Sequence, residues 1–88
     1  MIIRYFAAAR ASVGMDQESL ELTAGETFAE LLGKLAAKYP NSLSSSAPAL
    51  AELLPRCSFL RNEVAVRDQT AVLSDSDVID VLPPFAGG

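Results

Sequence analysis

TFAELLGKLAAK, residues 27–38, is the stretch on which the fold turns. Thr27 stands three residues before Glu30, the spacing at which hydroxyl and carboxylate satisfy each other's backbone N–H groups at a helix start. Phe28, Leu31, Leu32 and Leu35 then recur at the helical period and make one apolar stripe. Glu30, Lys34 and Lys38 mark a wet face. Pro40 disfavours helical dihedrals at Tyr39 and sets the stop. The stretch reads as an amphipathic helix laid across a sheet.

Working outward, residues 2–6 (IIRYF) are β-branched and aromatic and read as a strand. Alternation around Arg4 sends Met1, Ile3 and Tyr5 to the core and leaves Ile2 and Phe6 on the outer face. Residues 7–13 are Ala-rich and end at Gly14, a short helix with a glycine stop. Residues 17–22 alternate through Leu20 and Leu22, a half-buried second strand. On the other side, residues 41–48 form a Ser-rich loop, and residues 49–54 a short helix closed by Pro55. Residues 57–60 and 63–67 read as strands joined near Asn62. The facing of the first of these is ambiguous. A turn cluster at 75–77 leads to a last strand, 78–82. Asp80 marks its outer face, with Ile79 and Val81 inward and Val78 and Leu82 outward. This order is an α+β domain, one sheet with one main helix across it. If the first and last strands are parallel neighbours, the chain between them is the crossover.

Composition narrows the chemistry. The 88 residues leave room for one domain, half of them hydrophobic. There is no His and one Cys, so a Ser-His-Asp triad, a Cys-His pair and a His-based metal site are excluded. One Cys makes no internal disulfide, the N-terminus is a poor signal peptide, and no run is long enough for a membrane span. A cytoplasmic location is the expectation. Seven Lys plus Arg against eleven Asp plus Glu give a net charge of −4. That balance argues against nucleic acid and anionic membrane and suits a basic protein partner.

The chain ends LPPFAGG, residues 82–88. Two terminal glycines arise by chance in roughly one chain in 200. Here they follow a strand stiffened by Pro83 and Pro84. Bare backbone at Gly87 and Gly88 suits a narrow channel. What it delivers is a carboxylate, an acyl donor only after another enzyme activates it. Phe6 and Leu82 share the outer face. With Val78, Phe85, Pro83 and Pro84 they are expected to form an apolar patch beside the tail root, a candidate partner surface. The alternative is packing against the short helix at 7–13. Cys57, near Arg56 and Arg61, could suggest a reactive thiol, but a lone Cys in an apolar strand reads as a small buried hydrophobe. Arg10 could pair with a partner's acid or with Asp16. Asp75, Asp77 and Asp80 lack the ligand spacing of a calcium loop and read as a solvated turn.

These residues resemble the MoaD family, the small sulfur-carrying subunits of molybdopterin synthase, over nearly the whole chain. Phe6-Ala7, Arg10 and Gly14 are similar to the family's F-A-x-x-R-x-x-x-G. Asn62 sits at its V-N, with Arg61 replacing the apolar residue. Residues 73–79 resemble L-x-D-G-D-x-V, with Ser76 in place of Gly. The ending resembles F/L-P-P-V-x-G-G, with Phe85 for Val, while the Ser-rich loop is longer than the family's. The resemblance implies a ubiquitin-like β-grasp domain over 1–82, with a mixed sheet of about five strands, and a flexible tail over 83–88. It implies a Gly88 carboxyl adenylated with ATP by a MoeB-like enzyme and converted to a thiocarboxylate by a sulfurtransferase donor. Gly87 would thread the tail into a large, MoaE-like subunit, in a heterotetramer of two of each. Phe6, Leu82, Pro83, Pro84, Phe85 and Ala86 would contact that partner, and sulfur would pass to cyclic pyranopterin monophosphate. No cofactor is expected to stay bound. Carriers for thiamine or cysteine synthesis, and ubiquitin-like protein modifiers, share the activated glycine.

Overall fold

The computed structural model describes residues 1–84. The tail residues Phe85, Ala86, Gly87 and Gly88 lie outside them. Strand β1 (Ile2–Tyr5) turns directly into helix α1 (Ala7–Val13), which stops at Gly14 with φ 80°. Glycine takes that left-handed conformation without a Cβ clash. Strand β2 (Gln17–Ser19) pairs antiparallel with β1. Helix α2 (Phe28–Lys38) follows, then α3 (Leu50–Leu53), a 3₁₀ turn (Leu54–Arg56), and strands β3 (Ser58–Arg61), β4 (Val64–Ala65) and β5 (Val78–Leu82). The sheet order is β2-β1-β5-β3-β4, with β1 and β5 parallel at the centre.

Helix α2 carries the expected capping box. Thr27 Oγ1 accepts from Glu30 N–H at 3.2 Å, and Glu30 Oε1 accepts from Thr27 N–H at 2.9 Å. Its apolar stripe, Phe28, Leu31 and Leu35, packs into one core with Ile3, Tyr5, Ile79 and Val81. Phe59 faces inward and meets Phe28 edge to face at 5.1 Å between centroids, which settles the facing of β3.

Several boundaries differ from the sequence reading. Strand β2 ends at Ser19; Leu20 N–H still reaches Met1 O, and Leu20 and Leu22 pack on the core from the following loop. Strand β4 is two residues long. Asn62 and Glu63, at φ 51° and 70°, make a two-residue turn whose left-handed pair matches the twist of a hairpin. Pro55 does not end a helix. It sits at the start of the 3₁₀ turn, where its missing N–H leaves no bond unmade.

The charged face of α2 is not free. Lys34 pairs with buried Glu26 at 3.0 Å, and Lys38 with Glu18 at 2.6 Å. Glu18 also accepts the hydroxyls of Tyr5 and Tyr39, each at 2.6 Å, and so ties β1, β2 and the end of α2 together. Burial pushes the Glu18 carboxyl up, but Lys38, Tyr39 and Tyr5 outweigh it and hold it below the usual value. A depressed native pKa contributes stability that is present above the unfolded value and is lost as pH falls through the native one. Glu18→Gln is therefore expected to destabilise the domain at pH 7. It should also flatten the loss of stability on acidification below about pH 4. Denaturant melts of both proteins from pH 7 to pH 3 check this; parallel curves would remove Glu18 from the acid response.

Candidate functional site

Parallel pairing of β1 with β5 sets Tyr5 against Val81, so the next residues, Phe6 and Leu82, meet on the outer face. Phe6 is held there from both sides. Its N–H reaches Val81 O, and its carbonyl accepts from Ala9 and Arg10 as α1 begins. Ala7 makes the bend with φ 50°, a left-handed conformation uncommon for a residue with a Cβ. Ser58 continues the row, opposite Leu82 in the antiparallel β3–β5 register. Phe6, Ala7, Leu82, Pro83 and Pro84 line an apolar groove of about 610 Å³, closed on one wall by Ser58 and Arg56. Phe6 is 40% exposed, so it is not consumed by packing on α1. Pro83 is buried in the groove and Pro84 is exposed at its end.

Four of the residues singled out from sequence, Phe6, Leu82, Pro83 and Pro84, therefore come together. Val78 does not. It pairs with Ile2 four residues back along β5, about 13 Å at the strand rise. Between the two ends lies the Arg4–Asp80 pair, with Nη2–Oδ2 at 2.8 Å. Asp80 is on the outer face as expected but only 4% exposed, since Arg4 covers it. Phe85, Ala86, Gly87 and Gly88 are beyond the described residues. Arg10 pairs with Asp16 at 2.8 Å, both exposed.

Of the three acids expected in a solvated turn, Asp75 is exposed, whereas Asp77 and Asp80 are buried. Asp77 is buried and accepts from Ser74 N–H, Asn62 Nδ2 and Arg61 Nη2, each at 2.8 Å. Burial pushes its carboxyl up; those donors outweigh it and keep it below the usual value. Asn62 Oδ1 accepts in turn from Val78 N–H. Asp77 is thus the anchor between the β3–β4 hairpin and β5 and not a solvated residue. Arg61, where the resembled family has an apolar residue, makes one arm of that anchor. Arg56 and Ser58 in the groove wall were not singled out from sequence. For Ser58 the signal was the register of β3 against β5, which sequence left ambiguous.

A five-stranded mixed sheet with parallel central strands and one main helix across it defines a ubiquitin-like β-grasp domain, here with an apolar groove at the root of its C-terminal extension. Residues 3–88 match the ThiS family, and the chain belongs to it. It is 31% identical over 87 residues to the molybdopterin synthase sulfur carrier subunit of Chlamydomonas reinhardtii, covering 98% of this chain and 95% of that one. A Haloferax volcanii protein whose structure was solved in solution matches at a TM-score of 0.76 and 27% identity, over 99% of this chain and 84% of that one. A chain from the Helicobacter pylori complex of molybdopterin-converting factor subunits 1 and 2 matches at a TM-score of 0.61 and 24% identity, over 99% and 96%.

Among the described residues no helix is long and apolar enough to cross a membrane, and no group of His, Cys, Asp and Glu could hold a metal ion. Cys57 lies just before β3 and is half-buried, with its thiol donating to Leu53 O at 3.1 Å. Burial pushes that thiol up to about 11, against a smaller downward pull from Arg56. A persulfide carrier needs the opposite. Alkylation of Cys57 in the folded protein at pH 8 is expected to run on the order of a hundredfold slower than for an unhindered thiol. Cys57→Ser should leave carrier activity intact at temperatures where the domain stays folded. Transfer abolished with an unchanged melting curve would move the chemistry to the thiol.

Proposed function

We propose that this protein is the sulfur carrier of molybdenum cofactor synthesis, with the Gly88 carboxyl as its working group. The observation that carries the reading is the continuity of the groove at Phe6 and Leu82 with Pro83-Pro84 and, four residues on, a Gly-Gly terminus. Kinship with the Chlamydomonas carrier subunit supports it. A MoeB-like enzyme joins the carboxylate to the α-phosphorus of ATP, and pyrophosphate leaves. A sulfide equivalent from a sulfurtransferase donor then displaces AMP and leaves a thiocarboxylate. The tail enters a large, MoaE-like subunit and gives its sulfur to cyclic pyranopterin monophosphate, and water restores the carboxylate. Two such transfers make the dithiolene. The partner supplies the acid–base side chains, in keeping with a chain that has no histidine. The working assembly is a heterotetramer of two small and two large subunits in the cytoplasm, and the Helicobacter complex supports the large-subunit partner.

A second reading, the carrier of thiamine synthesis, is favoured by the ThiS family match and uses the same activated glycine. Reconstitution separates the two, since turnover with the molybdopterin large subunit is expected only under the first. Carriers for cysteine synthesis and protein modifiers also share the chemistry. Mass spectrometry of native protein would show sulfur replacing one terminal oxygen in a carrier, and a branched Gly-Gly remnant on target lysines for a modifier.

The groove is the docking surface under this reading. Phe6→Arg or Leu82→Glu is expected to weaken binding to the large subunit by several kcal/mol, the usual cost of a charge in a desolvated interface centre. Both side chains lie on the outer face, so the free domain should remain folded. Unaltered affinity by calorimetry would put the interface elsewhere.

The tail provides the decisive test. One added residue moves the reactive carbon by about 3.3–3.6 Å, and a displacement of about 1 Å can cost on the order of a hundredfold in a positioned reaction. Appending a Gly after Gly88, or deleting Gly88, should nearly abolish sulfur transfer. Gly87→Val should block the channel. Binding through Phe6 and Leu82 should survive the deletion. Normal turnover by the Gly-extended protein would remove Gly88 as the reacting group.

A further inference from the structure

The charges of this protein are mostly spent on one another. Arg4, Arg10, Lys34, Lys38 and Arg61 each pair with a carboxylate of the same chain. Among the described residues Arg56 and Arg67 make no such pair, although acids outnumber bases by four, and of the two only Arg56 lines the groove. Glu52 stands four residues before Arg56, the spacing of a helical ion pair. The pair does not form; Arg56 ends the 3₁₀ turn that follows α3. An exposed Arg56 instead stands in the wall of the apolar groove, beside exposed Ser58. Among the described residues no acidic one lines this groove. The one at its far edge, Asp16 in the depression that shares Phe6 and Ala7, is already held by Arg10.

We infer that the groove receives a partner segment carrying a carboxylate side chain next to an apolar one, and that Arg56 selects it. This rests on the reading of the groove as the carrier's docking surface and specifies the chemistry of what docks. The apolar side chain sits on Phe6, Leu82 and Pro83. The carboxylate takes the N–H fork of Arg56, and the Ser58 hydroxyl lies within the same wall as a further donor. A guanidinium without an internal partner loses none when it is desolvated against an acid, whereas a basic partner would face it unpaired. The local sign is thus opposite to that of the whole chain. A net charge of −4 by itself favours basic partners at long range, and the groove admits an acidic contact at close range.

The test is calorimetry of the full chain with the large subunit and with the adenylating enzyme, at low and physiological salt. The proteins compared are wild type, Arg56→Glu, Arg56→Gln, Arg56→Lys, Arg67→Glu and Phe6→Arg. Arg67 is exposed and outside the groove, so Arg67→Glu makes the same change in net charge without touching it. Arg56→Glu is expected to lose on the order of thirtyfold or more in affinity for at least one partner. Arg56→Gln should lose less, Arg56→Lys should recover part, and Arg67→Glu should match wild type. Because Arg56 is exposed in the free domain, melting curves of all variants should coincide. Equal affinities for wild type and Arg56→Glu, with Phe6→Arg still disruptive, would overturn the inference and leave the docking surface in place. Tighter binding by Arg56→Glu would also overturn it, since the groove would then hold a basic segment or the chain's own terminus. So would a concentration-dependent dimer abolished by the same substitution, which would put a second copy there. Wild-type protein that binds neither partner would sink the functional reading and the inference with it.

Discussion

Everything at the working end of this protein depends on the parallel pairing of β1 with β5. A parallel pair cannot be closed by a hairpin, so the helix, both short helices and the β3–β4 hairpin are all carried within one crossover. The pairing also makes the N-terminal strand the support of the C-terminal one. Ile3, Tyr5, Ile79 and Val81 are buried together beneath it. On the opposite face the same register fixes Phe6 beside Leu82. The groove is therefore a by-product of the strand that carries the terminus, and it cannot drift relative to the point where the tail departs.

Two polar anchors hold β5 in register, Arg4–Asp80 against β1 and the Asp77 node against the β3–β4 hairpin. A one-residue slip would turn every side chain to the wrong face. It would also separate Arg4 from Asp80 and break the Asp77 node, where Asn62, Arg61 and Ser74 converge just before β5 begins. Both acids are nearly covered, and both have their partners in place. Removing a single partner would leave a buried carboxylate uncompensated, which is costlier than the intact pair is favourable.

The elements whose pattern is local were legible in the sequence. The capping box, the stripe of α2, the glycine stop at Gly14 and the inward set of β1 depend on neighbours within a few residues. What was not legible depends on contacts far apart in the chain. Glu18 shares the alternation of Leu20 and Leu22 yet faces Tyr5, Tyr39 and Lys38, partners 13 to 21 residues away. Val78 has the right face and the wrong end of the strand, because alternation specifies side and not distance along it. Phe6 and Leu82 were found because one assumption, parallel terminal strands, converted two local readings into a contact. Ser58 needed a second register, β3 against β5, that no local signal supplies.

The division of labour follows from chemistry that the domain lacks. Under the carrier reading the reactive group is a carboxyl on two glycines, which bring no side chain to shift a proton or stabilise an oxyanion. Of the domain's own titratable groups, Asp77 is committed to an anchor and Cys57 is pushed away from reactivity by burial. Under the carrier reading each chemical step is thus performed inside a different partner, and every partner must recognise the same small root. A surface shared by successive partners cannot be optimised for any one of them. An apolar floor with one uncommitted cation meets that demand. The floor is tolerant of shape, and the guanidinium imposes a single requirement of charge that each partner can meet with one carboxylate.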